Sequence, residues 1–127
     1  MRVVAVVLSV DEAALLETSL PPAVAQADEV LVVDDACTDA TAAVARRLGA
    51  HVVRLERRVS YASAMNAGLA ATRGADAVLL LNADCVLEDG FVAAASAALE
   101  GDRVGSVAPL LLRATAGDEV DAAGMTI

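Results

Sequence analysis

The chain has 127 residues, of which 57% are hydrophobic and 21% charged, a length and balance typical of one compact domain with a buried core. Its net charge of −9 opposes tight binding to nucleic acid, because such affinity comes mostly from basic groups that neutralise phosphates, and we expect no nucleic-acid partner. The longest apolar runs are far shorter than the ~20 residues of a membrane span, and the run after Arg2 is too short for a signal peptide, so we expect a cytoplasmic protein with no membrane segment in this stretch.

Strands alternate with helices along the chain. Residues 3–8 form a continuous valine-rich run, which is typical of a strand buried on both faces. Further strands are predicted at residues 29–33, 51–55 and 77–81. Strands separated by helices at this spacing imply right-handed parallel crossovers. The predicted fold class is therefore α/β, a doubly wound and mostly parallel sheet with helices on both faces.

The helices are placed by their caps and breakers. We predict them at residues 12–20, 40–48, 61–72 and 89–99. Asp11, Thr38 or Asp39, and Ser60 are the expected N-caps, and glycines follow the helix ends. The consecutive prolines at 21 and 22 should end or kink the first helix before a further turn. Beyond the last helix, residues 104–112 are predicted to be extended with a break at Pro109, and residues 119–127 form a further candidate strand.

Cysteine and histidine are scarce in this chain. Cys37 and Cys85 lack the paired spacing of a zinc site or a redox motif, and two cysteines are too few for a disulfide framework. We therefore expect free thiols. His51 is the single histidine and stands at a strand start, where a structural or surface imidazole is the expected role.

Ligands of open parallel sheets bind outside the carboxyl ends of the strands. The residues after the first strand read LSVDE and contain no glycine, which argues against the close backbone approach of a dinucleotide fingerprint. The chain contains no lysine, which excludes a phosphate loop of the Walker type. NAD, FAD and ATP sites of these kinds are therefore not expected.

The strand ends carry acids instead. Asp34 and Asp35 follow the second strand and Asp84 follows the fourth. Adjacent carboxylates at the end of a buried strand repel each other and lose hydration unless something binds them. Such groups accept hydrogen bonds from a base or a sugar and bind hard cations, so the pattern indicates a nucleotide site. For Asp39, as for the acids that open the fourth helix, capping is the preferred interpretation.

Three segments resemble glycosyltransferase family 2 enzymes of GT-A fold. Residues 32–41 read VVDDACTDAT and resemble the family's motif in which two acidic or amide residues precede Gly-Ser-Thr-Asp-Gly-Thr. Residues 64–68, AMNAG, resemble its Asn-x-Gly helix, and residues 82–84, NAD, stand where the family has Asp-x-Asp. Together these segments are specific, and the resemblance runs along nearly the whole chain.

The resemblance implies a nucleoside-diphosphate sugar as ligand and Mg²⁺ or Mn²⁺ as cofactor. Asp34 or Asp35 would accept a hydrogen bond from the nucleobase, and Asp84 would be the metal ligand. A cation there would bridge the diphosphate oxygens and stabilise the leaving nucleoside diphosphate. The residues that the resemblance places against the donor are Leu8, Ser9, Asp34, Asp35, Asn82 and Ala83.

The chain also departs from the family pattern. Asn82 replaces the first Asp of the motif, a variant similar to rhamnosyltransferase-like members, and ribose contact is its expected use. Residues 120–125 resemble the same subgroup. Ala36 and Cys37 replace the Gly-Ser pair. We expect Asn66 to tie its helix to a strand by hydrogen bonds, and the arginines at 57 and 58 to be solvated or to reach the diphosphate.

We expect residues 1–127 to be one donor-binding domain, the N-terminal part of a longer enzyme that inverts the anomeric carbon. The general base and the acceptor site, for a glycan, a lipid or a small molecule, would lie beyond it. One alternative is a degenerate module that binds donor without turnover. A nucleotidyltransferase is a further alternative, but it usually carries a glycine-rich basic loop after the first strand, which this chain lacks. A receiver or flavodoxin-like domain is the least favoured alternative, because receivers need a lysine and the chain has none.

Overall fold

The computed structural model describes residues 1–123, which divide into two compact units, one from Met1 to Val92 and one from Ala93 onward. The first unit contains a four-stranded parallel sheet made of β1 (Val3–Ser9), β2 (Glu29–Asp34), β3 (His51–Arg54) and β4 (Ala77–Asn82). Its strand order is β3-β2-β1-β4. The predicted α/β class and all four predicted strands are confirmed, each within one residue at its ends.

β1 lies at the centre of the sheet and is buried along its whole length. Val3, Ala5 and Val7 point into one apolar cluster, and Val4 and Val6 point into another. Successive side chains of a strand alternate between the two faces. The sheet therefore has a core on each face, as the unbroken apolar run predicts.

Four helices follow the strands: α1 (Ala13–Gln26), α2 (Thr41–Arg47), α3 (Tyr61–Ala71) and α4 (Phe91–Leu99). Residues of α1 and α2, with Phe91 and Val92 at the start of α4, pack into the cluster on one face of the sheet. Ala64 and Met65 of α3 pack into the cluster on the other. The predicted cap of α3 is confirmed, since Ser60 Oγ accepts a hydrogen bond from the Ser63 amide at 3.2 Å.

The prediction that the prolines interrupt the first helix is wrong. α1 continues through Pro21 and Pro22 to Gln26. Two prolines leave the carbonyls of the residues four positions earlier, Glu17 and Thr18, without a helical donor. Both of these residues are exposed, so water can satisfy their carbonyls. The buried side chains before and after the prolines belong to one apolar cluster, and their packing holds the helix together.

α3 lies very close to the sheet at Gly68. A Cβ built on this glycine would come within 2.5 Å of Val6 Cγ1 and 2.7 Å of Val33 Cγ2. Asn66 is exposed and makes no side-chain hydrogen bond within residues 1–123. The prediction that Asn66 ties the helix to a strand is therefore wrong for the described chain. The glycine makes the close contact instead.

The second unit contains an antiparallel pair, β5 (Leu111–Arg113) and β6 (Ala116–Ala122). The strand predicted at 104–112 is shorter than expected, because residues 104–110 have no regular structure. The candidate strand at 119–127 and the segment 120–125 extend beyond residue 123 and lie partly outside the described residues. Among those described, no helix is both long and apolar enough to cross a bilayer.

Candidate functional site

The loops that follow the strands meet at one edge of the parallel sheet. Ser9 pairs with Asp34 across β1 and β2, and Leu8 pairs with Asn82 across β1 and β4. Neighbouring strands lie about 4.8 Å apart, so the ends of β2 and β4 flank the end of β1. The two acidic strand ends predicted from the sequence, those of β2 and β4, therefore lie at the same edge of the sheet and are separated only by β1.

A cavity of about 300 Å³ opens at the end of β4, and we call it the open cavity. Its lining residues come from the ends of β1 and β4, the loop before α1 and the first turn of α3. They are Leu8, Val10, Glu12, Tyr61, Asn82, Ala83 and Asp84. Four of the seven predicted donor and metal residues thus share one cavity: Leu8, Asn82, Ala83 and Asp84.

Asp84 is the exposed acid of this cavity. Its Oδ1 lies 3.9 Å from Cys85 Sγ. Burial raises the pKa of the Cys85 thiol, and the charge of Asp84 raises it further. With Glu12 and Asn82 in the same lining, the cavity presents carboxylate and amide oxygens, the donors that Mg²⁺ and Mn²⁺ prefer. The donor set therefore fits a hard divalent cation that takes its remaining ligands from phosphate and water.

Asp34, by contrast, is completely buried. Its Oδ1 accepts a hydrogen bond from the Cys37 amide at 2.8 Å, and its Oδ2 accepts one from Arg54 Nη1 at 2.5 Å. The same guanidinium donates to the Cys37 carbonyl at 3.2 Å. Both carboxylate oxygens of Asp34 are thus bonded within the protein.

Asp35 is 1% exposed. Its Oδ1 accepts a hydrogen bond from the Val59 amide at 3.0 Å, and its Oδ2 lies 3.9 Å from Arg58 Nε. Arg58 also donates to the Asp35 carbonyl at 2.7 Å and to Asp11 Oδ2 at 3.0 Å. Arg58 therefore ties together the loops after β1, β2 and β3, a role that neither of its predicted uses anticipated.

The predicted site residues consequently divide into two groups. Ser9 joins the buried set, because its hydroxyl lies 3.0 Å from Thr41 Oγ1 and accepts a hydrogen bond from the Glu12 amide. We call Ser9, Asp34 and Asp35 the closed group. The carboxylates of Asp34 and Asp35 do not line the cavity that contains Asp84. The structure thus brings the two acidic strand ends to one edge without placing all three carboxylates in one cavity.

A third acidic cluster joins the loops after β1 and β2. One potential ligand atom from each of Asp11, Cys37 and Asp39 lies within 4.8 Å of the others. Asp11 Oδ1 accepts hydrogen bonds from the amides of Thr38 and Asp39, at 2.7 and 3.2 Å. The bond from the Thr38 amide is the largest cause that holds the pKa of Asp11 below its ordinary value.

Cys37 is the buried member of this cluster. Its Sγ lies 3.1 Å from the Ser9 carbonyl and accepts a hydrogen bond from the Asp11 amide, and burial raises the pKa of the thiol. A protonated thiol whose neighbours are already bonded is a poor metal ligand. We therefore interpret Asp11, Cys37 and Asp39 as a structural clasp between the two loops.

The clasp also changes which acids cap the helices. Asp11 was the predicted cap of the first helix, but its carboxylate binds the loop after β2, and its backbone has a φ of 55°. Asp39 takes over this role, since its Oδ2 accepts from the Ala13 amide at 2.9 Å. Its Oδ1 accepts from the amide and the hydroxyl of Thr41, and the hydroxyl bond is the main cause that lowers the Asp39 pKa.

Sequence reasoning missed two kinds of residue at this edge. Tyr61 lines the open cavity, and its position directly after a predicted N-cap placed it near the carboxyl edge of the sheet. Arg54 and Arg58 close the buried acids. A buried pair of carboxylates requires cations nearby, and the arginines around residue 57 were the available source. Both thiols are free, as predicted.

Comparison with known proteins identifies a family and similar solved structures. The sequence model of the family described as "Glycosyl transferase family 2" matches residues 5–122. The fold is similar to S. aureus TarS 1–349, with a TM-score of 0.65, 23% identity and coverage of 79% of this chain and 32% of that one. No curated protein matches this chain.

A second solved structure is similar as well. It is the glucosyl-3-phosphoglycerate synthase from Mycobacterium tuberculosis in complex with Mn²⁺, uridine diphosphate and glucosyl-3-phosphoglycerate. The TM-score is 0.67 at 25% identity, over 80% of this chain and 40% of the synthase. The chain therefore spans 32% and 40% of these two solved chains.

Proposed function

This chain belongs to glycosyl transferase family 2, and from that premise we propose that its open cavity binds a nucleoside-diphosphate sugar together with a divalent cation. The observation that carries the proposal is the pairing of Asp84 with Asn82 in one exposed cavity at the carboxyl edge of the sheet. The similar synthase, whose structure contains Mn²⁺ and uridine diphosphate, supports the same ligand class.

Charge explains why a cation is needed. The chain carries a net charge of −9, and the open cavity adds the carboxylates of Glu12 and Asp84, so a diphosphate alone would be repelled. In the proposal, Asp84 binds the cation directly, while Asn82 donates or accepts hydrogen bonds with the ribose. When bound, the metal supplies charge neutralisation for the leaving diphosphate.

The closed group shapes the site in this proposal. Ser9 and Asp34 fix the ends of β1 and β2 through bonds within the protein. Of the two adjacent acids, Asp35 is the better candidate for the predicted nucleobase contact. Among residues 1–123, its Oδ2 has only the 3.9 Å approach of Arg58, whereas both oxygens of Asp34 are bonded. A base would reach Asp35 by displacing Arg58.

Calorimetry with uridine, guanosine and thymidine diphosphates, each with and without Mn²⁺, tests the proposal. We expect at least one nucleotide to bind only when Mn²⁺ is present. Asp84→Ala should abolish this Mn²⁺-dependent binding. Asp89→Ala is the matched control, because Asp89 is an exposed acid of the same loop outside the cavity lining. Binding that is unchanged by chelator or by Asp84→Ala would contradict the metal role.

We propose further that transfer inverts the anomeric carbon, as direct displacement requires. With water as acceptor, its oxygen bonds to the anomeric carbon while the bond to the diphosphate oxygen breaks, the electron pair leaves with the nucleoside diphosphate, and the water loses a proton to the solvent. NMR of the first sugar released from an α-linked donor should then show the β anomer. Release of the α anomer would overturn the inverting mechanism without affecting donor binding.

A further inference from the structure

Only two aromatic side chains occur in the whole sequence, Tyr61 and Phe91, and there is no tryptophan. Phe91 packs against the apolar cluster that contains α1 and α2. Tyr61 is 58% exposed and lines the open cavity. Tyr61 is therefore the more exposed of the two aromatic rings, since Phe91 is partly buried, and it lies at the proposed donor site.

The backbone that carries this ring is firmly held. Tyr61 is the first residue of α3, directly after the Ser60 cap. Farther along the helix, Gly68 seats α3 against Val6 and Val33 of the sheet. Because the helix is anchored at both places, a ligand that meets Tyr61 has to order only its side chain and not its backbone.

The lining of the open cavity has an apolar part and a polar part. Leu8, Val10 and the Tyr61 ring make up the apolar part, and Glu12, Asn82 and Asp84 supply the polar groups. Phosphates and a cation suit the polar part. A flat, uncharged heterocycle suits the apolar part, because every base offers a π-face for stacking on an aromatic ring.

We propose that Tyr61 stacks on the nucleobase of the donor and so contributes to donor affinity, an inference that rests on the proposed function. Stacking on an aromatic ring favours any base, so Tyr61 strengthens binding without selecting the nucleotide. Selection of the nucleotide then falls to groups that form hydrogen bonds with the base.

The composition offers a direct test. Tyr61 is the single tyrosine of a chain without tryptophan, so intrinsic emission near 300 nm reports this ring alone. Titration of the chain with uridine diphosphate and Mn²⁺ should quench the emission along the calorimetric binding curve. Ribose 5-phosphate and pyrophosphate, which lack a base, should not. N-acetyltyrosinamide corrects for absorption by the nucleotide.

Variants give an independent readout. Tyr61→Phe should keep the affinity for uridine diphosphate, and Tyr61→Ala should weaken it about tenfold. Leu69→Ala is the matched control, since Leu69 is a half-exposed side chain of the same helix outside the cavity. Melting temperatures confirm that each variant is folded.

The outcomes separate the two proposals. Nucleotide binding with unchanged Tyr61 emission, or with equal affinity in Tyr61→Ala, overturns the stacking role and leaves the proposed function standing. Quenching by ribose 5-phosphate as strong as that by uridine diphosphate also overturns it, because the ring would then meet the sugar. Absence of binding by all three nucleoside diphosphates, with and without Mn²⁺, overturns both.

Discussion

Aspartates lie at the ends of both β2 and β4, but those at β2 are buried and the one after β4 is exposed. At the end of β2, Asp34 and Asp35 are buried and paired with arginines from the chain itself. At the end of β4, Asp84 is exposed and lines an open cavity. The two ends flank the same central strand, so their position in the sheet does not explain the difference.

The difference lies in what neutralises each carboxylate. Arg54 is the last residue of β3, the neighbour of β2 in the sheet, and Arg58 lies in the loop after β3. Both arginines reach the acids at the end of β2. β4 neighbours only β1 within the described sheet. An acid at a parallel strand end is therefore informative about ligands only when adjacent loops supply no cation.

Removal of Asp34 should have the largest effect on stability. Asp34→Ala leaves the buried Cys37 amide and the Arg54 guanidinium without their acceptor, and we expect the free energy of unfolding to fall by about 3 kcal/mol. Asp84→Ala should change it by less than about 0.5 kcal/mol, because Asp84 is exposed. Urea denaturation measures both. Equal losses of unfolding free energy for the two variants would show that Asp34 is no more important to stability than the exposed Asp84.

A methyl group at Gly68 should disturb the packing of α3 on β1 and β2. Gly68→Ala places a Cβ against Val6 and Val33, and the overpacking exceeds the gain in helix propensity, so we expect a loss of about 1–2 kcal/mol. The shift of α3 should also weaken nucleotide binding through Tyr61. Thermal unfolding and calorimetry measure the two effects. Unchanged stability would mean that α3 lies farther from the sheet than the structure shows.

Glycine at position 36 should relax the loop at the end of β2. Ala36 has a φ of 51°, a left-handed conformation that glycine adopts without steric cost. We expect Ala36→Gly to raise the unfolding free energy by about 0.5 kcal/mol, after subtracting the entropy that glycine adds to the unfolded chain. Ala40→Gly is the control, because Ala40 has a φ of −81° and should only lose stability. A destabilising Ala36→Gly would contradict the strain.

Acid should weaken the clasp between the loops after β1 and β2, with the smallest effect. The pKa values of Asp11 and Asp39 are lowered by hydrogen bonds from Thr38 and Thr41. Their stabilising contribution is therefore present above the ordinary carboxylate pKa of about 4 and is lost as the pH falls through the folded-state values. Melting temperature measured from pH 6 to pH 2 should decline, and Asp11→Asn should flatten the decline. An unaltered profile in Asp11→Asn would show that the carboxylate of Asp11 does not stabilise the clasp.

Most of the fold could be predicted from local patterns. The apolar run of β1 indicated burial on both faces, and Ser60 marked the start of α3 correctly. The prolines of α1 misled, because local propensity does not include the apolar contacts that hold both halves of the helix against the sheet. The hairpin of β5 and β6 was missed as a pair, since antiparallel pairing depends on contacts that the α/β alternation does not encode.

The sequence predicts the edge of the sheet at which the site lies, but it does not predict which side chains line the cavity there. Parallel topology alone brings Asp34 and Asn82 to the same side of the sheet. Which acids stay exposed depends on how far the arginine side chains of β3 and of the loop after it reach, and no sequence motif records that. The position of Tyr61 after a predicted N-cap placed it near the same edge, but no motif marked it as a site residue.

Asp39 accepts a hydrogen bond from the Ala13 amide with one oxygen and from Thr41 with the other. The first N–H groups of a helix have no acceptor within that helix, so one carboxylate serves the opening turns of both α1 and α2. Fraying of either helix end therefore loosens the other. In hydrogen exchange, the amides of Ala13 and Thr41 should open as one cooperative unit, which makes this corner of the domain fluctuate as a single piece.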